Sequence, residues 1–388
     1  MKRLFLHPFI TTIHPQGMLS FAPDSEPLPL TSLNVLIGPN GSGKSNLIEI
    51  FELLKALPTD LAEPIRDGGG VGEWLWKGEG KRAPASIGAQ LHVLGSRAAL
   101  RYRLGFVSAD KGLEVRNEAL EDDGTFYYRF DGGRRARIVR RIDGKPETRQ
   151  FDPDLQQSVL SQRKDAELYP EVAALGLAFA RILTFREWGF GRYVPLRQPQ
   201  PADLPNNVVL PDARNLGLIL NAIEHSDAWP RLNAALRRFL PRFERLTTLV
   251  QGGTIQIFLH ENGLRTPVPA TRLSDGTIRF IALLAILLRP RVAPLICLEE
   301  PELGLHPDAL TLIAELLVEA AQKTQIVVTT QSDVLVSALS EHAESVVVCD
   351  NLAGASRFRR LESDKLRFWM DKYQLGEIWR TGELGGNP

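Results

Sequence analysis

The chain has 388 residues, and its 46 lysines and arginines balance 46 aspartates and glutamates, so the formal net charge at pH 7 is zero. A protein that coats nucleic acid usually carries a basic excess, so any DNA contact would be local or supplied by a partner. The longest apolar segment, around 280–288, is too short to span a membrane. The two cysteines, Cys297 and Cys349, lie in apolar runs and fit the reducing cytoplasm, so we expect a cytoplasmic protein.

Residues 38–45 read Gly-Pro-Asn-Gly-Ser-Gly-Lys-Ser and match the phosphate-loop pattern G-x-x-x-x-G-K-[ST] at every fixed position. An apolar run precedes them and a helix-like segment, 46–57, follows, which is the context that the pattern requires. Backbone N–H groups and the helix dipole would hold phosphate, Lys44 would reach the β- and γ-phosphates, and Ser45 would hold Mg²⁺. The predicted nucleotide-binding residues are Gly38, Pro39, Asn40, Gly41, Ser42, Gly43, Lys44, Ser45 and Asn46.

Three further segments follow in order. Leu273-Ser274-Asp275-Gly276-Thr277 opens a long apolar segment, with Ser274 as a good helix N-cap. About twenty residues later an apolar strand ends in Glu299-Glu300-Pro301-Glu302. A second apolar strand, 325–330, leads into Gln331-Ser332-Asp333.

This order of motifs resembles the ABC class of ATPases, and within it the RecF, SMC and OLD group. The segment 302–307, Glu-Leu-Gly-Leu-His-Pro, is similar to the E-x-G-L-H-P segment of RecF/OLD-like ATPases. The resemblance is close over about 1–60 and 265–350. It implies an α/β head with a mixed central sheet, a flanking antiparallel β-subdomain and a small helical lobe. We expect the core lobe at 1–152 and 254–388 and the helical lobe at 153–253.

The resemblance also implies ATP and Mg²⁺ as ligands. Glu299 would be the carboxylate on the Mg²⁺ side, and Glu300 would orient and polarise the attacking water. Gln331 stands where relatives carry a histidine near the γ-phosphate; its neutral amide can hydrogen-bond but cannot carry a proton, which puts the turnover rate in doubt. Gln162 is a candidate for the glutamine that links Mg²⁺ to lobe movement, with an ordinary surface glutamine as the alternative.

In relatives the signature segment completes the nucleotide site of a second copy. Ser274, Asp275, Gly276 and Thr277 would therefore contact a γ-phosphate in trans, which implies a homodimer that forms on ATP binding. Gly304 and His306 would form the D-loop, although His306 is also placed to cap the helix that begins at Pro307.

The expected function is ATP hydrolysis by a RecF-like ATPase in DNA repair or phage defence. The alternative is a nucleotide-gated interaction module that controls a separate effector protein. The arginines at 134–141 are either a DNA-backbone contact or a solvated strand paired with acidic residues. Only about 55 residues follow Asp333, and they lack the carboxylate cluster of the TOPRIM nuclease domain of OLD proteins. Trp379, among glycines in the tail, has an exposed appearance; the tail either docks on the second copy or a partner, or covers the core.

Overall fold

The computed structural model describes residues 5–78, 84–93, 99–110, 112–189, 191–289, 293–370 and 372–386. The strands are β1 (Phe5–Gln16), β2 (Leu28–Pro29), β3 (Leu33–Ile37), β4 (Ala85–Val93), β5 (Leu100–Ala109), β6 (Gly112–Glu121), β7 (Phe126–Phe130), β8 (Ala136–Ile142), β9 (Lys145–Phe151), β10 (Leu183–Phe185), β11 (Gln200–Pro201), β12 (Phe243–Gln251), β13 (Thr254–Glu261), β14 (Val268–Pro269), β15 (Leu295–Glu299), β16 (Gln325–Thr330), β17 (Val346–Leu352) and β18 (Ala355–Arg360). The helices are α1 (Lys44–Ala56), α2 (Ala62–Asp67), α3 (Val71–Trp74), α4 (Val159–Gln162), α5 (Pro170–Phe179), α6 (Leu216–Glu224), α7 (Trp229–Phe239), α8 (Asp275–Leu287), α9 (Pro307–Ala321), α10 (Asp333–Ser337), α11 (Ser363–Met370) and α12 (Leu375–Arg380).

The central sheet has the strand order β10-β15-β16-β3-β17-β18. Its neighbours are parallel except for the antiparallel pair of β17 and β18, so the predicted mixed sheet is confirmed. The carboxyl ends of parallel strands lie at one edge, where open α/β sheets bind their ligands. The segments that follow β3, β15 and β16 therefore meet there, and these are three of the four segments that the motifs identified.

The eight strands of the second sheet run in the order β2-β1-β4-β5-β6-β7-β8-β9, and every pair is antiparallel. This sheet confirms the predicted β-subdomain. Its apolar face packs on α1, where Phe51 and Leu54 share one cluster with Phe9 and Phe106. The helix that follows the phosphate loop is therefore held between two sheets.

The region 153–253, expected as a helical lobe, is mixed in structure. Helix α5 packs on the β-subdomain, with the Phe179 ring 5.6 Å from that of Tyr102 and 6.0 Å from that of Phe9. Strand β10 belongs to the central sheet, whereas α6 and α7 pack with α8 and with a small sheet of β11, β13, β12 and β14. The expected lobe is thus only partly helical, and its boundaries stay a prediction.

Trp379 is fully buried, so the expectation that it is exposed was wrong. Its Nε1 donates to the carbonyl oxygen of Gly386 at 2.5 Å, and the Gly386 amide donates to Asp350 at 2.8 Å. A Cβ added to Gly386 would lie 3.4 Å from the Cα of Gly38. The tail folds back because glycines at 382, 385 and 386 adopt positive φ angles, and it covers the outer side of the phosphate loop.

A buried carboxyl group joins the β-subdomain to α4. Glu118 on β6 accepts hydrogen bonds from Tyr102 Oη at 2.7 Å, from Ser158 Oγ at 2.5 Å and from the Val159 amide at 2.9 Å. Burial raises the pKa of Glu118 despite these three donors. The carboxyl group therefore orders the start of α4 against the sheet.

We expect Glu118→Ala to lower the free energy of unfolding by at least about 2 kcal/mol, because buried donors lose their acceptor. The folded state with a raised pKa binds the proton more tightly, so this contribution is complete below about pH 4.3 and declines as pH rises through the folded-state pKa. Urea denaturation at several pH values measures both effects. Glu114→Gln, on the same strand in a partly exposed ion pair with Arg116, is the control. Equal stability of the two variants would contradict the assigned role.

No helix within the described ranges is both long enough and apolar enough to cross a bilayer.

Candidate nucleotide-binding and hydrolysis site

The phosphate loop packs tightly against β17 and β18. Gly38 has a φ of 148°, and a Cβ there would lie 2.1 Å from the carbonyl oxygen of Cys349. Gly43 has a φ of 96°, and a Cβ there would lie 2.0 Å from Ser356 Oγ. Any other residue at either position would displace the loop, so steric contact explains why the pattern has glycine at both positions.

Side chains from distant segments fix the carbonyl groups of the loop. Asn351 Nδ2 donates to the Gly41 carbonyl at 3.0 Å, and Ser356 Oγ donates to the Ser42 carbonyl at 2.8 Å. Ser20 Oγ accepts from Asn46 Nδ2 at 2.7 Å and lies 2.6 Å from Ser356 Oγ, within hydrogen-bond distance. The sequence pattern gave no signal for Ser20, Asn351 or Ser356. Because these bonds hold the carbonyl oxygens on one side of the loop, the backbone N–H groups face the other side, where an anion would bind.

Lys44 and Ser42 supply two groups that suit a phosphate chain. Lys44 Nζ donates to the Gly38 carbonyl at 2.6 Å and to the Pro39 carbonyl at 2.9 Å, and burial lowers its pKa. Ser42 Oγ is buried and meets no hydrogen-bond partner among the described residues. A buried hydroxyl without a partner is unfavourable, and a phosphate oxygen would satisfy it. The residues of the loop therefore fit a triphosphate.

The acidic residues at the carboxyl end of β15 reach the start of α1. Ser45 Oγ donates to Glu299 Oε1, so the two predicted metal-side groups are in contact. Glu300 has a φ of 45°, which is unusual for a residue with a side chain, and its amide donates to the Thr329 carbonyl at 3.0 Å. Gln331 Nε2 donates to Glu300 Oε1. The structure thus brings Ser45 and Glu299, two of the three residues predicted for metal binding, together with the two residues predicted for catalysis.

Glu302 stabilises the backbone next to Gln331. Its Oε1 accepts from Thr330 Oγ1 at 2.6 Å and from the Gln331 amide at 2.9 Å, and burial raises its pKa. The carboxyl group therefore fixes the backbone that presents Gln331 to Glu300.

Arg186 was not identified from the sequence. It follows β10, and its guanidinium donates to Glu299 Oε2 at 2.9 Å, to Glu52 at 2.8 Å and to Glu49 at 3.0 Å. Burial alone would lower its pKa, but the hydrogen bond to Glu299 and the charge of Glu52 outweigh burial and raise the pKa. Arg186 therefore joins the metal-side carboxylate to the helix that carries the phosphate loop.

The signature helix α8 reaches the same carboxylates through their backbone. Arg279 Nη2 donates to the Glu300 carbonyl at 2.8 Å, and its guanidinium lies 4.6 Å from the centre of the Trp188 ring. Trp188 Nε1 in turn donates to the Glu299 carbonyl at 3.1 Å. Burial lowers the pKa of Arg279 to about 10. The position of α8 is therefore linked to the positions of Glu299 and Glu300.

The signature segment has an ordered N-cap. Ser274 Oγ accepts from the Thr277 amide at 3.0 Å and lies 2.8 Å from Thr277 Oγ1. Asp275 accepts from Arg197 at 2.6 Å. A Cβ on Gly276 would lie 2.7 Å from the Gly304 carbonyl oxygen, so the signature and D-loop segments pack closely within one chain. The trans role of these residues stays a prediction.

His306 caps α9 in this structure. Its Nδ1 accepts from the Asp308 amide at 3.3 Å, while the side chain remains exposed. Of the two alternatives from the sequence, the helix cap is observed, and a contact across a dimer stays a prediction.

Gln162 is not brought to the metal-side residues. Its amide group bonds locally, to the backbone of Asp154 and to the Gln157 carbonyl at 2.9 Å. Gln157 itself contacts the Leu61 amide, beyond the last turn of α1, whereas Ser45 lies in the first turn. Thirteen helical residues separate these ends by about 20 Å. The proposed metal link through Gln162 is therefore corrected to a structural role, because its loop uses the amide to close a turn.

The donor set suits Mg²⁺ held jointly with phosphates. Across the described ranges there is no group of three His, Cys, Asp or Glu side chains arranged to bind a metal by themselves. Mg²⁺ commonly uses one or two protein oxygens, several waters and the substrate phosphates. Ser45 and Glu299 provide such oxygens beside the phosphate loop.

The fold is that of an ABC-type P-loop ATPase head, as in SMC head domains. The family model AAA_21, described as "AAA domain, putative AbiEii toxin, Type IV TA system", matches residues 33–337. The chain belongs to this family.

Solved structures with the same fold are SMC head domains. One is the SmcHead bound to the C-winged helix domain of ScpA, with a TM-score of 0.55, 16% identity, and coverage of 93% of this chain and 100% of that chain. Another, the Smc head with an extended coiled coil bound to the C-terminal domain of ScpA from Pyrococcus furiosus, has a TM-score of 0.56 and 13% identity, covering 94% of this chain and 99% of that chain. A third, the Smc head with a coiled coil and joint from Pyrococcus yayanosii, has a TM-score of 0.55 and 12% identity, covering 94% and 99%. Among curated proteins, none matches this sequence.

Proposed function

We propose that this protein hydrolyses ATP, with Glu300 as the residue that orients and polarises the attacking water. The observation that carries the proposal is the convergence of two pairs beside the phosphate loop, Ser45 with Glu299 and Gln331 with Glu300. Phosphoryl transfer depends mainly on positioning and on neutralising charge, and the hydrogen bonds of these two pairs position the four side chains beside the loop.

Each side chain has a distinct task in this mechanism. Lys44 leaves the carbonyl groups of Gly38 and Pro39 and donates to the β- and γ-phosphates. Ser45 and Glu299 would hold Mg²⁺, whose positive charge would offset that of the phosphates. Glu300 accepts a hydrogen bond from water, and Gln331 holds the Glu300 carboxylate in place.

We further propose that ATP joins two copies into a dimer. The cap at Ser274 leaves the N-terminus of α8 as a positive dipole end, which suits a γ-phosphate that ADP lacks. The affinity of the two copies for each other would then depend on the nucleotide.

Sedimentation velocity tests the dimer. The Glu300→Gln variant is expected to sediment as a dimer with ATP and as a monomer with ADP or without nucleotide. The control is a second substitution, Ser274→Arg, which places a bulky cation at the cap and is expected to keep the protein monomeric in ATP. A monomer in every condition would exclude the ATP-dependent dimer.

A second candidate function is a nucleotide-gated module that controls a separate effector protein rather than acting on DNA. The arginine strand supports it, because Arg135, Arg137, Arg140 and Arg141 each lie within ion-pair distance of a carboxylate. The groove beside Glu299 is also acidic and would repel a DNA backbone. Its acidic lining residues are Glu49, Glu52, Glu63, Asp67, Glu187, Asp212 and Glu299.

The rate of ATP hydrolysis with and without DNA separates the two candidates. Stimulation by duplex or single-stranded DNA that falls with salt and is lost in an Arg135→Ala, Arg137→Ala double variant would support DNA maintenance. Turnover that is indifferent to DNA would support the effector module.

A further inference from the structure

A groove of about 460 Å³ opens beside the phosphate loop, and neither Glu299 nor Glu300 lines it. Its lining includes Leu19, Ser20, Asn46, Trp76, Lys77 and Gly354. Asn46 belongs both to this groove and to the predicted nucleotide-binding loop, so the two sites are continuous. A volume of this size lies within the range of pockets for small organic ligands.

The direction of a bound phosphate chain places this groove at the nucleoside end. Ser45 contacts Glu299 and so marks the side on which the γ-phosphate meets the carboxylates. The next residue, Asn46, turns the other way and donates to Ser20 in the groove. A triphosphate that lies along the loop with its γ-phosphate near Glu300 therefore directs its sugar and base toward Ser20.

Trp76 is the aromatic side chain of this groove, and its backbone is anchored. The Trp76 amide donates to the Gly17 carbonyl at 3.0 Å, and the Leu19 amide donates to the Trp74 carbonyl at 2.8 Å. The segment that carries Trp76 is thus bonded to the segment that carries Ser20. The indole is held as a wall of the groove.

Two further features concern the Trp76 ring itself. A Cβ on Gly78 would lie 2.1 Å from Cζ2 of the ring, so only glycine permits this close approach of backbone and indole. The side chain is partly exposed, yet its Nε1 finds no acceptor within the described part of the chain. The ring is supported on one side by Gly78 and keeps an unused donor.

We propose that Trp76 is the stacking platform for the base of a purine nucleoside triphosphate. The inference rests on the proposed binding of ATP at the phosphate loop and adds the residue that binds the base. Tryptophan offers the largest π surface of any side chain, and a bicyclic purine overlaps it more fully than a pyrimidine does. Lys77, ion-paired with Glu73 at the rim, adds a cation near the sugar. The phosphates are held by the loop and the base by Trp76.

The test compares ATP with inorganic triphosphate, each with Mg²⁺, by isothermal titration calorimetry. Trp76→Ala is expected to weaken ATP binding by about 5–100-fold, the range for loss of one stacked base, and to leave triphosphate binding unchanged. Trp76→Phe is expected to retain most of the affinity for ATP. Trp76→Leu keeps an apolar side chain for packing and is expected to behave like Trp76→Ala. Trp369→Phe, at an exposed tryptophan of α11, is the matched control and leaves both affinities unchanged.

Different outcomes separate this inference from the function on which it rests. Wild-type affinity for ATP in both Trp76→Ala and Trp76→Leu would overturn the base platform while leaving ATP binding intact. An equal loss of ATP and triphosphate would also overturn it, because it would show damage to the loop rather than loss of stacking. A wild-type protein that binds neither ligand would overturn the proposed function itself.

Discussion

Replacement of Glu300 by glutamine is expected to lower the rate of ATP hydrolysis by about 10²–10⁴-fold while ATP still binds. Glutamine has the shape of glutamate but cannot accept a proton from water. Arg279 donates to the backbone carbonyl of residue 300, so this contact does not depend on the lost side-chain charge. Gln331 donates to the side-chain oxygen, which a glutamine amide also provides. Phosphate release measures turnover, and calorimetry measures binding.

The matched control for this change is Glu315→Gln. Glu315 lies on α9 and pairs with Arg238 at the exposed surface, so its loss removes one carboxylate without touching the site. It is expected to leave turnover and ATP affinity unchanged. Turnover at the wild-type level in Glu300→Gln would show that another group polarises the water.

Arg186→Gln is expected to destabilise the protein, and Mg²⁺ together with ATP is expected to offset part of the loss. Arg186 lies among three carboxylates, Glu49, Glu52 and Glu299, and its removal leaves their charges uncompensated. The side chain is 27% exposed, so we expect a loss of about 2 kcal/mol, below the roughly 3–5 kcal/mol of a fully buried pair. Urea denaturation with EDTA and with Mg²⁺–ATP measures the two values.

A surface arginine provides the control for this prediction. Arg238→Gln breaks the two-bond contact with Glu315, and the expected loss is below about 1 kcal/mol because that pair is solvated. Its stability should gain no more from Mg²⁺–ATP than that of the wild type. If both variants lose the same stability, or if Mg²⁺–ATP restores neither, Arg186 has no special relation to the metal-side carboxylate.

The parts of the site that the sequence predicted are those in which a short pattern determines local geometry. The glycines at 38 and 43 are needed by a loop whose backbone touches Cys349 and Ser356, and the pattern records that need within eight residues. Glu299 ends a buried strand and Glu300 follows it, which places both at the binding edge of a parallel sheet.

The parts that were missed depend on contacts between distant segments. Arg186 lies 113 residues before Glu299, and a single arginine after a three-residue strand has no recognisable pattern. Trp76 enters its groove through pairing with the segment around Leu19, which the sequence does not encode locally. Gln162 was assigned from a weak local pattern, and its amide instead closes a turn beside Asp154.

The small sheet near α6 was missed for a different reason. Strand β12 is exposed over much of its length, with buried positions only at Phe243 and Leu246, so its alternation is weak. Its partner β13 alternates more regularly, with Ile255, Ile257 and Leu259 buried. The resemblance to known heads suggested helices for this region, and the exposed strand offered little to correct that view.

The position of β3 between β16 and β17 has a consequence for synthesis of the protein. The phosphate-loop strand leaves the ribosome early, but both strands that flank it are encoded about 300 residues later. Protein synthesis adds about 5–20 residues per second, so β16 and β17 are synthesised on the order of tens of seconds after the phosphate loop. The hairpins of the β-subdomain pair locally and can form during that interval. The nascent chain therefore acquires its sheet scaffold first, and its nucleotide cradle is completed only when the last strands are inserted.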